Sequence, residues 1–136
     1  MRVELPATDA AANPAFPTQS ILIVDDDPAI VGFLELALID EGYEVRSATN
    51  GLDALQVVAE MVPDLILLDM NMPIMNGWEF CAQLRKDQSG TIPIVVMTAA
   101  RDASTRSREV GAQGYLGKPF NLDVMFQAIK GLLPPA

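Results

Sequence analysis

The stretch that decides the fold is residues 21–28, Ile-Leu-Ile-Val-Asp-Asp-Asp-Pro. Its four apolar residues do not alternate with polar ones, which is typical of a strand covered on both faces. Asp27 and Pro28 then predict a helix start, because an Asp side chain caps free backbone N–H groups and proline suits the first helical position. The stretch therefore predicts a buried strand that leads directly into a helix.

The same alternation of strand and helix repeats along the chain. Further strands are predicted at 44–49, 65–68, 94–97 and around 115–116. Helical stripes with a period near 3.6 are predicted to face the core through Ile30, Phe33, Leu34, Ala37 and Leu38; through Leu55, Val58, Ala59 and Val62; through Phe80, Cys81 and Leu84; and, after a cap at Asn121, through Leu122, Met125, Phe126 and Ile129. This order predicts an α/β protein of the flavodoxin-like (βα)5 type, a doubly wound sandwich whose five-stranded parallel sheet has the order 2-1-3-4-5 with helices on both faces.

Length and composition bound the function. The chain has 136 residues, enough for one domain, which we assign to residues 21–136 after a flexible N-terminal leader at residues 1–20. A net charge of -9 argues against nucleic-acid binding, which requires a basic face. Without a membrane-span-length apolar run or a recognisable signal peptide, a cytoplasmic location and no membrane partner are expected. The absence of histidine excludes a Ser-His triad, and the single cysteine, Cys81, excludes an internal disulfide.

Polar side chains follow the apolar runs at the ends of four predicted strands. The first strand ends in Asp25 and Asp26, the third in Asp69, the fourth in Thr98 and the fifth near Lys118. Binding sites in parallel sheets form beyond the carboxyl ends of the strands, so these groups are expected to converge. Carboxylates this close repel each other, and Mg²⁺, which prefers oxygen ligands, relieves the repulsion. With a lysine and a hydroxyl beside them, the set suits phosphoryl transfer to a carboxylate.

Five segments, taken together, resemble the receiver domain of two-component response regulators. They are 21–28 (Ile-Leu-Ile-Val-Asp-Asp-Asp-Pro), 63–73 (Pro-Asp-Leu-Ile-Leu-Leu-Asp-Met-Asn-Met-Pro), 75–77 (Met-Asn-Gly), 93–99 (Pro-Ile-Val-Val-Met-Thr-Ala) and 111–120 (Gly-Ala-Gln-Gly-Tyr-Leu-Gly-Lys-Pro-Phe). Each segment alone is a weak signal, but in this order they span the region from 21 to 133 and are specific. The resemblance implies a response regulator of the stand-alone, single-domain type.

The resemblance also implies roles for individual residues. Asp69 would be the phosphoacceptor, and Mg²⁺, with Mn²⁺ as a substitute, would be held by Asp25, Asp26, Asp69 and the backbone carbonyl of Asn71. Thr98 and Lys118 would contact the phosphoryl oxygens, and Tyr115 would be the aromatic switch that turns inward when Thr98 moves. The peptide bond before Pro119 is often cis in this family, which the weak trans preference of X-Pro bonds permits.

In function, the resemblance implies that Asp69 takes a phosphoryl group from a phosphohistidine on a sensor histidine kinase or a histidine phosphotransfer protein. The chain would catalyse its own phosphorylation and slow dephosphorylation without being a turnover enzyme. Since no effector domain follows residue 136, output is expected to pass to a separate downstream protein, from a monomer or weak homodimer. Two alternatives stay open: a phosphorylation-independent adaptor of the same fold, and a metal-dependent phosphatase. The phosphatase requires a second Asp at the position where this chain has Asn71.

One segment departs from the family pattern. Only a weak helix is indicated within 102–111, where Val110 is the sole large apolar residue, and the interval of 20 positions from Thr98 to Lys118 is shorter than usual for the family. Pairs such as Asp102–Arg106 and Arg106–Glu109 add only a few tenths of a kcal/mol. We therefore predict that this fourth helix is the loosest of the domain and is mobile without phosphate.

Overall fold

Five strands and five helices alternate in the computed structural model, which describes residues 18–87 and 91–133. The strands are β1 (Ser20–Val24), β2 (Glu44–Ala48), β3 (Leu65–Asp69), β4 (Ile94–Ala99) and β5 (Gly114–Lys118). The helices are α1 (Pro28–Asp40), α2 (Gly51–Glu60), α3 (Gly77–Asp87), α4 (Ala100–Val110) and α5 (Leu122–Leu132). All strand pairs are parallel and the sheet order is β2-β1-β3-β4-β5, which confirms the predicted architecture.

The sheet separates two apolar layers. One packs α2, α3 and α4 against β-strand side chains such as Leu22 and Ile66, and the other packs α1 and α5 against side chains such as Ile23 and Leu67. Every residue of β3 is buried, because the strand lies in the middle of the sheet with helices on both sides. This explains why its sequence is a continuous apolar run.

The predicted helix starts are confirmed by their caps. The Asp27 carboxylate accepts hydrogen bonds from the N–H groups of Ala29 (2.9 Å) and Ile30 (3.4 Å), so this aspartate serves the helix. Asn121 caps α5 in the same way through the N–H of Val124 at 2.9 Å. Of the predicted leader, residues 1–20, the first 17 lie outside the described residues. The first strand, β1, begins at Ser20.

Two predicted helix stripes are wrong in part. In α1, Leu34 and Leu38 are buried but Phe33 is 56% exposed, because this helix carries apolar residues on every face and periodicity could not choose among them. In α2, Ala59 and Val62 are exposed and Ala54 is buried instead. A further difference is that Val62 lies beyond the helix, which ends at Glu60.

The fourth helix is longer than predicted and is packed by small residues. It begins at Ala100, directly after β4, and its buried residues are Ala103, Ser107 and Val110. Small side chains let the helix approach the sheet closely, which a search for large apolar residues overlooks. Gly111 ends the helix at a φ of 65°, the left-handed conformation that glycine adopts without strain.

Side chains of helix α3 contact the C-terminal half of α4. The Trp78 indole N–H donates to Glu109 at 3.0 Å, and Arg106 donates to the same carboxylate at 2.9 and 3.0 Å while lying 5.4 Å from the Trp78 ring centre. Arg85 donates to the backbone carbonyl of Val110 at the helix end. We call Trp78, Arg85, Arg106 and Glu109 the α3–α4 cluster. It confirms the Arg106–Glu109 pair and joins α3 to the helix that is predicted to be loose.

No helix in the described part of the chain combines the length and hydropathy that a membrane crossing requires.

Candidate functional site

The parallel register brings the predicted site residues to one edge of the sheet. Val24 pairs with Leu68, so the residues that follow them, Asp25 and Asp69, leave the sheet side by side. Next to them, Thr98 of β4 pairs with Gly117 of β5, the residue before Lys118. These polar residues, which are distant in sequence, therefore lie at one edge of the sheet, at the carboxyl ends of β1, β3, β4 and β5.

Three carboxylates meet at that point. Oxygen atoms of Asp25, Asp26 and Asp69 lie within 4.8 Å of one another. Asp25 is 1% exposed and Asp69 6%, whereas Asp26 is open to solvent. The Lys118 ammonium lies 2.9 Å from Asp25 Oδ2 and 3.5 Å from Asp69 Oδ1. We call Asp25, Asp26, Asp69 and Lys118 the site cluster.

The electrostatics of the site cluster are unbalanced. Burial first, and the charge of Asp25 second, raise the pKa of Asp69 to about 6, against the opposing effects of the Lys118 charge, its hydrogen bond and a backbone hydrogen bond with Asn71. Burial would lower the pKa of Lys118, but its hydrogen bond to Asp25 and the charges of Asp69 and Asp25 outweigh burial and raise it. Lys118 therefore remains a cation, and one cation faces three acidic groups.

The donor set fits a hard divalent cation. All the converging ligand atoms are carboxylate oxygens, which suit Mg²⁺, and no thiol or imidazole competes among them. The nearby Asp27 is not part of the cluster, because its carboxylate caps α1. The proposed contribution of the Asn71 carbonyl stays a prediction.

The two remaining predicted residues differ in exposure. Thr98 is buried at the carboxyl end of β4. Tyr115, on β5, is 52% exposed, so its ring lies outside the core. The peptide bond between Lys118 and Pro119 is cis, as the resemblance implied.

The loop that follows Asp69 is held by contacts that the sequence did not reveal. A Cβ on Gly77 would lie 2.6 Å from the Met70 sulfur, and the Gly51 N–H donates to the Met75 carbonyl at 2.8 Å. Met70 is fully buried and Met75 packs against the core, so these methionines serve packing. The loop is thereby fixed against α2 and α3.

An apolar cavity that the sequence did not predict opens beside the site. Its volume is about 450 Å³, and its lining residues are Ile30, Phe33, Leu34, Ala99, Lys118, Pro119 and Phe120. The exposed Phe33 ring forms part of its wall. The aliphatic stem of Lys118 thus borders an apolar space, while its ammonium group lies among the carboxylates.

Comparison with known proteins agrees with this geometry. The chain matches the response regulator receiver domain over residues 21–130. It is 42% identical over 115 residues to the response regulator MprA of Mycobacterium leprae, covering 83% of this chain and 50% of that protein. The chain spans about half the length of the curated relatives it matches.

Solved structures agree as well. The chemotaxis response regulator CheY4 of Vibrio cholerae has a TM-score of 0.77 at 34% identity, covering 85% of this chain and 99% of that one. The response regulator TrrA of Thermotoga maritima, solved in complex with Mg²⁺ and BeF, has a TM-score of 0.75 at 35% identity, covering 85% of this chain and 100% of that one. Because the family match extends over residues 21–130, the chain belongs to the response regulator receiver family.

Proposed function

We propose that this receiver domain accepts a phosphoryl group on Asp69 from a phosphohistidine of a sensor histidine kinase or histidine phosphotransfer protein. The observation that carries the proposal is the site cluster, in which Lys118 contacts two of three converging carboxylates. Asp69 is the carboxylate with the raised pKa, as expected for a functional group rather than a merely structural one. The phosphorylated domain then signals to a separate protein.

The chain's own residues supply the steps of the transfer. An oxygen of the Asp69 carboxylate attacks the phosphorus atom, and the new P–O bond replaces the P–N bond to the donor imidazole. That imidazole, already protonated on its other ring nitrogen, leaves as the neutral ring. Lys118, which now pairs with Asp25 and Asp69, is near enough to pair with the phosphoryl oxygens. The Thr98 hydroxyl donates to another of these oxygens.

Asp25, Asp26, Asp69 and the Asn71 carbonyl would hold the metal ion. When bound, Mg²⁺ supplies positive charge that offsets the carboxylates and the developing charge on the phosphoryl oxygens. Receiver domains bind Mg²⁺ at an acidic site of this kind, and the related TrrA was solved with Mg²⁺ and BeF. We propose that Mn²⁺ is accepted in its place.

The conformational output follows from the same residues. Thr98 and Lys118 are drawn toward the phosphoryl group, and Tyr115, now exposed, turns inward as Thr98 moves. Such a switch is a shift between two states that the phosphoryl group binds unequally. The affected surface includes α4, β5 and α5.

The remaining proposals concern the setting of the protein. Receiver domains are signalling modules, and we propose that this one performs a single self-phosphorylation with slow dephosphorylation. We propose that the receiver domain comprises residues 21–136. We also propose that it is cytoplasmic and is a monomer or weak homodimer. Its net charge of -9 opposes tight self-association and supports a protein rather than a nucleic acid as its downstream target.

A constitutive adaptor of the same fold is the weaker candidate. Two buried carboxylates in close contact are costly to a fold, and an adaptor would gain nothing from them. The raised pKa of Asp69 is the sign of that cost. The site cluster therefore favours a protein that uses these carboxylates.

Incubation with phosphoramidate and Mg²⁺, followed by intact mass spectrometry, tests the proposal. We expect one phosphoryl group on the unmodified chain and none on Asp69→Asn. Asp64→Asn is the matched control, because Asp64 directly precedes β3 at the end opposite Asp69, where it accepts a hydrogen bond from the Ser20 N–H at 2.7 Å. Absence of phosphorylation in the unmodified chain would contradict the proposal and favour the adaptor.

A further inference from the structure

The junction between β4 and α4 contains no loop. Ala99 is the last residue of β4 and Ala100 the first of α4, and no side chain caps the start of this helix. Thr98 lies two residues before the helix and pairs with Gly117 on β5. A displacement of the first turn of α4 must therefore pass directly to Thr98, since no flexible segment can absorb it.

Gly117 faces the first turn of α4 at unusually short range. A Cβ placed on Gly117 would lie 2.6 Å from the Cα and 2.7 Å from the Cβ of Ala100. These atoms belong to the helix backbone and its first side-chain carbon, so they cannot rotate away. The φ of Gly117 is not positive, unlike those of Gly42 and Gly111, so lack of space and not backbone conformation requires glycine here.

We propose that Gly117 is a positioning residue for the phosphoryl-binding Thr98. Its missing side chain lets the first turn of α4 sit directly on β5, and this contact fixes Thr98, its partner across the strands. The inference rests on the proposed function, in which Thr98 and Lys118 contact the phosphoryl group. It adds a residue that itself touches neither the phosphoryl group nor the metal.

A side chain at position 117 has a selective consequence. It pushes Ala100 off β5, and Thr98 moves with the helix because the two are joined without a loop. The carboxylates of Asp25 and Asp69 follow β1 and β3, and neither of these strands pairs with β5. Metal binding is therefore preserved while phosphoryl transfer is slowed.

Gly117→Ala and Gly114→Ala form a matched pair. Both replace a glycine of β5 by alanine, but the Cβ at position 114 meets only Leu132 at 3.6 Å and Val95 at 3.7 Å, which are ordinary contacts. The rate of phosphorylation by phosphoramidate is measured by intact mass at saturating Mg²⁺, and Mg²⁺ affinity by calorimetry. The amide resonance of Thr98 is recorded in metal-free protein.

For Gly117→Ala we expect a phosphorylation rate at least about tenfold below that of Gly114→Ala, since small displacements of positioning groups have effects of that size. We expect an unaltered Mg²⁺ affinity in both variants, and a shifted Thr98 amide in Gly117→Ala alone. If Gly117→Ala does not fold, Ala100→Val, which adds bulk to the residue that faces Gly117, should show the same slowing and the same amide shift.

Equal rates in the folded variant and its control would overturn the inference, and so would a loss of Mg²⁺ binding in Gly117→Ala, which would indicate collapse of the whole site. If the unmodified chain takes no phosphoryl group, the proposed function fails by itself. The Thr98 amide resonance then still shows whether Gly117 positions the first turn of α4, because that measurement needs neither metal nor phosphate.

Discussion

The site cluster brings three carboxylates together with one ammonium group, whereas the α3–α4 cluster brings two guanidinium groups together with one carboxylate. The first has two of its carboxylates buried, and the pKa of Asp69 rises to about 6 by desolvation. In the second, hydrogen bonds from Trp78 and Arg106 lower the pKa of the exposed Glu109. The difference separates a site that is short of positive charge from a contact whose charges are satisfied.

This contrast has a physical basis in burial. Charges in a buried site interact strongly and are costly when unpaired, whereas exposed ion pairs are screened by water and contribute little. The site cluster can therefore respond strongly to a metal ion or a phosphoryl group. The α3–α4 cluster can only hold two helices together.

Removal of one cation from each cluster should give the largest difference in stability between the two clusters. Lys118→Met leaves Asp25 and Asp69 without their partner, so we expect it to lower the free energy of unfolding at pH 7.5 by about 3 kcal/mol. Arg106→Met, which removes the corresponding cation from an exposed pair, should have a much smaller effect. Urea unfolding curves measure both, and equal losses would break the comparison.

The pH dependence of stability isolates Asp69 in metal-free protein. Its pKa is about 6 in the folded state against 3.8 for an ordinary Asp, so the folded state holds the extra proton between these values. The stability that Asp69 contributes is therefore present at low pH and is lost as the pH rises toward and through 6. Asp69→Asn lacks this loss and should become the more stable protein by roughly 2–3 kcal/mol above pH 7.

Urea unfolding at several pH values between 4 and 8 checks this expectation. Glu109→Gln is the control from the α3–α4 cluster, where the pKa is lowered and not raised. A stability difference between the unmodified chain and Asp69→Asn that did not change with pH would show that Asp69 is ionised normally.

Asp26 and Asp27 provide a test between neighbours. Asp26→Asn removes repulsion in the site cluster, so we expect a higher melting temperature without metal and a smaller rise on addition of millimolar Mg²⁺. Asp27→Asn keeps a helix cap and lies outside the cluster, so its response to Mg²⁺ should match that of the unmodified chain. A thermal melt with and without Mg²⁺ measures both, and no response in the unmodified chain would refute the metal assignment.

The smallest expected effect concerns α4. Trp78→Phe removes the hydrogen bond to Glu109, and we expect amide exchange in the C-terminal half of α4 to rise by no more than about fivefold. Amides of α5 should be unaffected, and phosphorylation by phosphoramidate should proceed as before. Exchange in α4 as slow as in α5 in the unmodified chain would contradict the prediction that α4 is the looser helix.

The sequence predicted the sheet order and the convergence of Asp25, Asp69 and Lys118, because parallel strands place their following residues at one edge. It did not predict the exposure of Phe33, since a helix that is apolar on every face has no preferred period. The sequence also did not predict the close contact between Gly117 and the first turn of α4. Only the distance between two backbones distinguishes that glycine from one of no consequence.

The α3–α4 cluster shows a second reason why some contacts could not be predicted from the sequence. The contact between Trp78 and Glu109 joins residues 31 positions apart, and neither residue fits an apolar stripe. Composition predicts a loose helix because it counts apolar side chains, and that stays a prediction. The hydrogen bonds between α3 and α4 depend on the relative placement of the two helices, which no local pattern encodes.

The account depends most on Asp69 being the group that receives phosphorus. After incubation with phosphoramidate and Mg²⁺, borohydride reduction converts a phosphorylated aspartate to homoserine, and peptide mass spectrometry locates it. We expect homoserine at position 69 and at no other aspartate. Homoserine at Asp25 or Asp26, or at no position in a fully folded sample, would contradict the account.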